Sequence, residues 1–245
     1  MPINSSGLFG VRGGYLPSGL AMWLDSTDLS TITLSEGNVV DQWSDKSGNE
    51  RNATASGSAR PTYVTNSLDG KPVIQFNGSS NFFSFDGTFL AETNYSIFAV
   101  ERRSSGKSNN YYIGANDSIT LNHNLFLGYR LNARSAFSQT SNGWDTPIAS
   151  FSTAIPRVNS YRFSSSIGKN LHINGVSQTL SAVLGGTPDI TANLLSNNNA
   201  QIGRNLTSSY YFGDIAEIIM YDRYLSDSEK SIVETYLMGK YNISA

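Results

Sequence analysis

Short runs of β-forming residues, cut by turn signals, recur from Leu20 to Tyr221, and a helical apolar stripe surfaces only after Ser226. That alternation constrains the chain more than any other feature. Strands that follow one another without intervening helices build antiparallel layers rather than a parallel sheet with helical crossovers. Strands are expected at Leu20–Asp25, Val39–Trp43, Val73–Phe76, Phe82–Phe85, Tyr95–Glu101, Tyr111–Gly114, Leu125–Tyr129, Ala133–Ser138, Arg157–Ser164, Leu171–Ile173, Val176–Leu180, Ala200–Gly203 and Tyr211–Tyr221. Tyr95–Glu101 and Tyr211–Tyr221 are apolar on both faces, as a strand covered on both sides must be. Asn174–Gly175 is a type I′ hairpin signal, because both residues accept positive φ. Ser226 and Glu229 form a capping box, with Ile232, Val233, Tyr236 and Leu237 as the apolar face and Gly239 as the stop.

Composition narrows the function classes. Charged residues make up 15% of the chain and hydrophobic residues 39%, so Ser, Asn and Gly take surface positions usually held by charge. Net charge is -2 and no basic block occurs, which disfavours nucleic acid and anionic membrane as partners. Cysteine is absent, which excludes disulfides, thiolate nucleophiles and cysteine-ligated metals. No apolar run is long enough to cross a membrane as a helix, and the N-terminus lacks the pattern of a classical signal peptide. Residues 1–19, rich in Gly and with two prolines, read as an extended arm before a single domain at 20–245.

Two segments carry a family resemblance. Gly213 to Tyr241 ends a strand in Tyr221–Asp222 and continues with Leu225, Ser226 and Glu229 into a helix. Near the N-terminus, Leu20, Trp23, Leu24 and Asp25 precede Val40, Trp43, Asp45, Ser47, Gly48 and Asn49. Together they resemble the concanavalin A-like lectin/glucanase superfamily, in particular the laminin G-like domains of bacteriophage and bacterial surface proteins. The resemblance implies an all-β, concanavalin A-like (laminin G-like) jelly-roll sandwich with a short C-terminal helix.

Candidate sites follow from residue chemistry. Trp23 and Trp43 read as core anchors. Asp45, Ser47 and Asn49 form an oxygen-rich spacing that suits either a hydrogen-bonded Asx turn or a Ca²⁺ ion. Carbohydrate sites join an aromatic platform to amides and carboxylates, which singles out Trp144 with Asn142 and Asp145, and Tyr111–Tyr112 after two asparagines. Tyr210–Tyr211, after Asn205, offers a third platform. Catalysis is not expected. Glycosidases of this fold need two carboxylates on one strand face, and in a regular strand Asp214 and Glu217 point to opposite faces. Neither His123 nor His172 belongs to a metal motif, and no serine elbow or phosphate loop is present.

The expectation is thus a non-enzymatic structural or adhesive module, displayed on a virion as a capsid decoration or tail protein. Its partners would be other virion or surface-assembly proteins held through the arm, cell-surface glycans, and in one version further copies of itself. The alternatives are a soluble calcium-dependent, lectin-like carbohydrate-binding module and a glycan hydrolase.

Overall fold

The computed structural model describes residues 9–11, 14–104, 106–115, 120–131, 134–147, 152–183 and 188–245. Two large sheets, with antiparallel ladders, dominate it. One has eight strands. Its order runs Val176–Gln178, Gly168–Ile173, Arg157–Ser164, Tyr95–Arg103, Phe212–Tyr221, Lys71–Asn77 and Thr62–Leu68, and Leu20–Asp25 also pairs with Phe212–Tyr221. The other has ten strands, in the order Ser181–Ala182, Trp144–Asp145, Arg134–Gln139, Leu125–Arg130, Asn109–Ala115, Ala200–Ile202, Phe83–Phe85, Ala53–Thr54, Val40–Trp43 and Ile32–Leu34.

The inner faces of both sheets meet in one large apolar core. Trp43, Phe83, Tyr112, Leu127 and Phe137 come from the ten-stranded sheet, and Phe76, Ile97, Tyr161, Ile218 and Met220 from the eight-stranded one. A second cluster lies on the far face of the eight-stranded sheet, where Phe98, Val100, Val158, Ile219 and Tyr221 pack under the C-terminal helix. The eight-stranded sheet is therefore covered on both faces, which is why Ile97–Val100 and Ile218–Tyr221 in its central strands carry apolar side chains on both sides.

The expected jelly roll with a short helix is corrected by this arrangement. A jelly roll closes eight strands as two Greek keys, whereas these sheets carry eight and ten strands. The helix, Asp227–Tyr241, is fifteen residues long. Its capping box forms as the sequence indicates, with the Glu229 amide donating to Ser226 and the Ser226 amide donating to Glu229. Arg223 clamps the same carboxylate, whose pKa drops to about 2 chiefly through that hydrogen bond. The helix ends at Asn242, in the left-handed region at φ 51°, rather than at Gly239. Its buried stripe is Lys230, Val233, Glu234, Leu237 and Tyr241, and Ile232 faces solvent. Lys230 and Glu234, 2.9 Å apart and nearly buried, neutralise each other there.

Of the N-terminal arm, residues 1–8, 12 and 13 lie outside the described residues. Phe9–Val11 pairs with Gly14–Leu16, and Leu16 is buried in the cluster under the helix. Pro17 and Ser18 accept hydrogen bonds from Tyr221 and Arg223 through their carbonyls. Among the described residues no helix is long and apolar enough to cross a membrane.

Candidate functional site

Among the described residues no helix lies over the outer face of the ten-stranded sheet, and a groove of about 600 Å³ opens there. Strand alternation builds its floor. Phe83 and Phe85 point into the core, so Phe82, Ser84 and Asp86 point outward. Ser84 lies opposite Gln201 on one side and Thr54 on the other, which sets three uncharged polar side chains in a row across the strands.

The next position in that row is Gly114, opposite Gln201. A Cβ there would run into the Arg204 carbonyl and come within 2.6 Å of the Asn205 Cβ. The bare glycine lets the chain fold back over the sheet as a small hairpin, Arg204–Asn205 against Ser209–Tyr210. Gly203 starts this reversal at φ 93°, a conformation that glycine adopts without steric penalty.

The hairpin makes one wall. The Arg204 guanidinium stacks on the Phe82 ring at 3.6 Å. Its Nε donates to Gln201 at 2.9 Å and its Nη1 to the Tyr210 hydroxyl at 3.3 Å. No carboxylate pairs with it among the described residues, so this cation is positioned by an aromatic ring and neutral acceptors. Asn52, Asn198, Asn199 and Asp86 line the remainder. The Thr88 amide and hydroxyl both donate to one Asp86 oxygen, and these bonds hold its pKa below the usual carboxylate value. Asp86 is thus an ionised acceptor at neutral pH. A smaller cavity of about 320 Å³ adjoins the groove and shares Thr54, Phe82 and Ser84 with it, adding Ala55, Ser56 and Ala59.

The residues singled out from the sequence lie elsewhere. Trp144 is half-buried and its indole N–H donates to Asn142 at 3.0 Å. Asn142 is fully buried and donates to Asn122 and to the Asp189 carbonyl. Asp145, 1% exposed, takes a 2.7 Å bond from Arg130, and burial raises its pKa. Tyr111 packs edge-on against Phe126, and burial pushes its hydroxyl up to about 12. Tyr112 is in the core, hydrogen-bonded to Tyr161. Tyr210 alone of the tyrosine pairs reaches the groove wall.

Asp45, Ser47 and Asn49 do come together. The Asp45 carboxylate accepts from the Trp23 amide, the Ser47 amide and hydroxyl, and the Arg51 amide. Asn49 donates to the Leu20 and Ala21 carbonyls. The Asp45 carboxylate and the Ser47 hydroxyl are spent tying the loop together and to strand Leu20–Asp25, and Asn49 turns its amide nitrogen to that strand, so the set does not fit Ca²⁺, which needs six to eight oxygen ligands. Among the described residues no three His, Asp or Glu side chains group as a metal site.

Glu217 has a different surrounding from the one strand parity suggested. Pairing slips between Val100 and Glu101, which lie opposite Glu217 and Ile215, so Ala216 is an extra, bulged residue. The bulge brings Asp214 and Glu217 onto the same face. Each carboxylate is bound to a cation there, Asp214 to Arg102 at 2.5 Å and Glu217 to Lys240 at 2.7 Å. Glu217 also accepts from Trp23, Tyr236 and Tyr241. Burial and the nearby Asp25 carboxylate push its pKa up, while Lys240 pulls it back. Glu101 sits inside the core with Tyr129, Tyr211 and Asn159 as donors, and burial raises its pKa as well.

No family model and no curated protein sequence matches the chain. Solved structures do match. Trypanosoma rangeli sialidase in complex with the inhibitor DANA superposes at a TM-score of 0.63 with 14% identity, over 98% of this chain and 36% of the sialidase. Domain 4 of AbnA, a GH43 extracellular arabinanase from Geobacillus stearothermophilus, in complex with arabinotriose, matches at 0.61 and 15%, over 87% of this chain and 97% of that domain. The binding domain of Paraclostridial Mosquitocidal Protein 1 matches at 0.58 and 13%, over 90% and 52%. The fold is therefore one shared with glycosidase structures, two large antiparallel sheets, and the chain spans about a third of the length of the sialidases it matches.

These matches correct three expectations. The solved structures similar to this chain include sialidases and an arabinanase domain, so the laminin G-like, concanavalin A-like assignment does not stand. The virion, capsid-decoration and adhesion reading falls with it, having rested on that assignment. The expectation of a non-enzymatic chain, drawn from the concanavalin A-like assignment, is overturned with it: the fold is shared with parts of a sialidase and of an arabinanase.

Proposed function

We propose that this chain is the glycan-holding unit of a carbohydrate-active protein of the glycosidase kind, with the groove on the ten-stranded sheet as its binding site. The observation that carries this reading is the groove's chemistry. An outward Phe82, fixed by Arg204, stands over a floor of Thr54, Ser84 and Gln201, with Asn52, Asn198, Asn199 and Asp86 around it. A sugar has C–H faces that pack on an aromatic ring and hydroxyls that need fixed amides and carboxylates. The AbnA domain, similar in fold over nearly its whole length and solved with arabinotriose, supports the same reading. Hydrolysis through paired carboxylates would require a second acid beside Asp86.

Isothermal titration against a panel of neutral and acidic oligosaccharides tests the proposal. Phe82→Ala should weaken the best ligand about tenfold, or about 1.4 kcal/mol. A native protein that binds no member of the panel, or a Phe82→Ala variant that binds as tightly as the native one, overturns it.

A further inference from the structure

The groove and the smaller cavity are not independent. Both are lined by Thr54, Phe82 and Ser84, so they are contiguous across the Phe82 side chain. Their chemistry differs. The larger part carries every charged group, Arg204 and Asp86, and the asparagine amides. The smaller part is lined, beyond the shared residues, by Ala55, Ser56 and Ala59 alone. Phe82 borders both, whereas Arg204 borders only the larger one, which its stack on Phe82 helps to enclose.

Resting on the glycan reading above, we propose that the site is a two-part cleft that holds at least two consecutive units of a linear glycan. One unit lies among Asp86, Asn198, Asn199 and Arg204, and the next passes Phe82 into the uncharged cavity beside Ser56 and Ala59. The physical basis is the division of labour. Charged and amide groups read the hydroxyl pattern of one unit, and small side chains leave room for a neighbour held by packing on Phe82 and by hydroxyls of the floor. A cleft that closed after the polar part would have a bulky residue where Ser56 and Ala59 stand. The row Thr54, Ser84, Gln201 runs perpendicular to the strands, so the glycan crosses the sheet from Gln201 towards Thr54.

The test is a chain-length ladder. Arabino-, β-1,4-gluco- and N-acetylglucosamine oligosaccharides of one to five units are titrated calorimetrically into the native protein and into Ser56→Trp. Ser56 is exposed and extended, so a tryptophan there is compatible with folding and fills the smaller cavity. In at least one ladder, affinity should rise about tenfold or more from one unit to two or three and then level off. Ser56→Trp should erase that rise, so that two- and three-unit ligands bind it no better than one unit does. If a monosaccharide binds as tightly as its trimer, or if Ser56→Trp keeps the full rise, the two-part cleft is refuted while the glycan reading stands. If no ladder binds, both fall together.

Discussion

Replacing Lys240 by Met tests how the helix is held to the sheet. The ammonium sits 2.8 Å from Asp25 and 2.7 Å from Glu217, two carboxylates that face each other on neighbouring strands and are 3% and 0% exposed. Lys46 remains on the other Asp25 oxygen at 2.9 Å, so Glu217 is the group left without a cation. Breaking a buried ion pair by removing one partner costs about 3–5 kcal/mol. The lower end applies, because Trp23, Tyr236 and Tyr241 still donate to Glu217. In a domain of this size, that is a fall in Tm of about 6–12 °C. The pH dependence has a definite sign. Glu217 already sits above its ordinary value, and losing Lys240 raises it further. The folded variant then binds a proton that the unfolded chain releases, so its stability increases as pH falls through the raised pKa. Asp25 in the native protein is held below its ordinary value by Lys240, a contribution fully present above the unfolded pKa and lost only in stronger acid, so between pH 7.5 and about pH 5 the change comes from Glu217. The deficit measured by urea unfolding should therefore be large near pH 7.5 and smaller near about pH 5. A deficit under about 1 kcal/mol at both pH values, or one that grows in acid, would refute the assignment of Lys240 as the shared counter-ion.

Two further substitutions probe the groove and the helix start. Gly114→Ala drives a methyl group into the Arg204–Asn205 backbone, so it should lower stability by about 1–3 kcal/mol and reduce oligosaccharide affinity together, seen by thermal unfolding and titration. Normal affinity in that variant would mean that the hairpin does not shape the site. Ser226→Ala removes the acceptor for the Glu229 amide and should cost about 1 kcal/mol in urea unfolding, with binding untouched because the helix lies across the molecule from the groove.

Local patterning was enough to place much of the secondary structure. The capping box, the Asn174–Gly175 turn with both φ angles positive, and the alternation of Arg157–Ser164 each depend on residues close in sequence. Helix orientation was less accessible. Ile232 looks like a core residue on composition, but the stripe that meets the sheet is set by Phe98, Val100 and Ile219, far away in the chain. The groove had a faint signal in Phe82 to Asp86, where alternation between two inward phenylalanines turns Phe82, Ser84 and Asp86 outward. Its partners Asn52, Gln201 and Arg204 come from distant segments, and nothing local marks them as neighbours.

The chain by itself determined that it would build antiparallel layers, leave charge off most of its surface and end in a capped helix, because turn chemistry, side-chain alternation and capping act over a few residues. Tertiary structure decided the rest. The bulge at Ala216 reverses which face Glu217 shares with Asp214, and only strand pairing across the sheet creates it. Likewise the fold-back of Arg204 over Gly114 assembles the groove, since a stack on Phe82 and a contact with Gly114 exist only when three separate strands lie side by side.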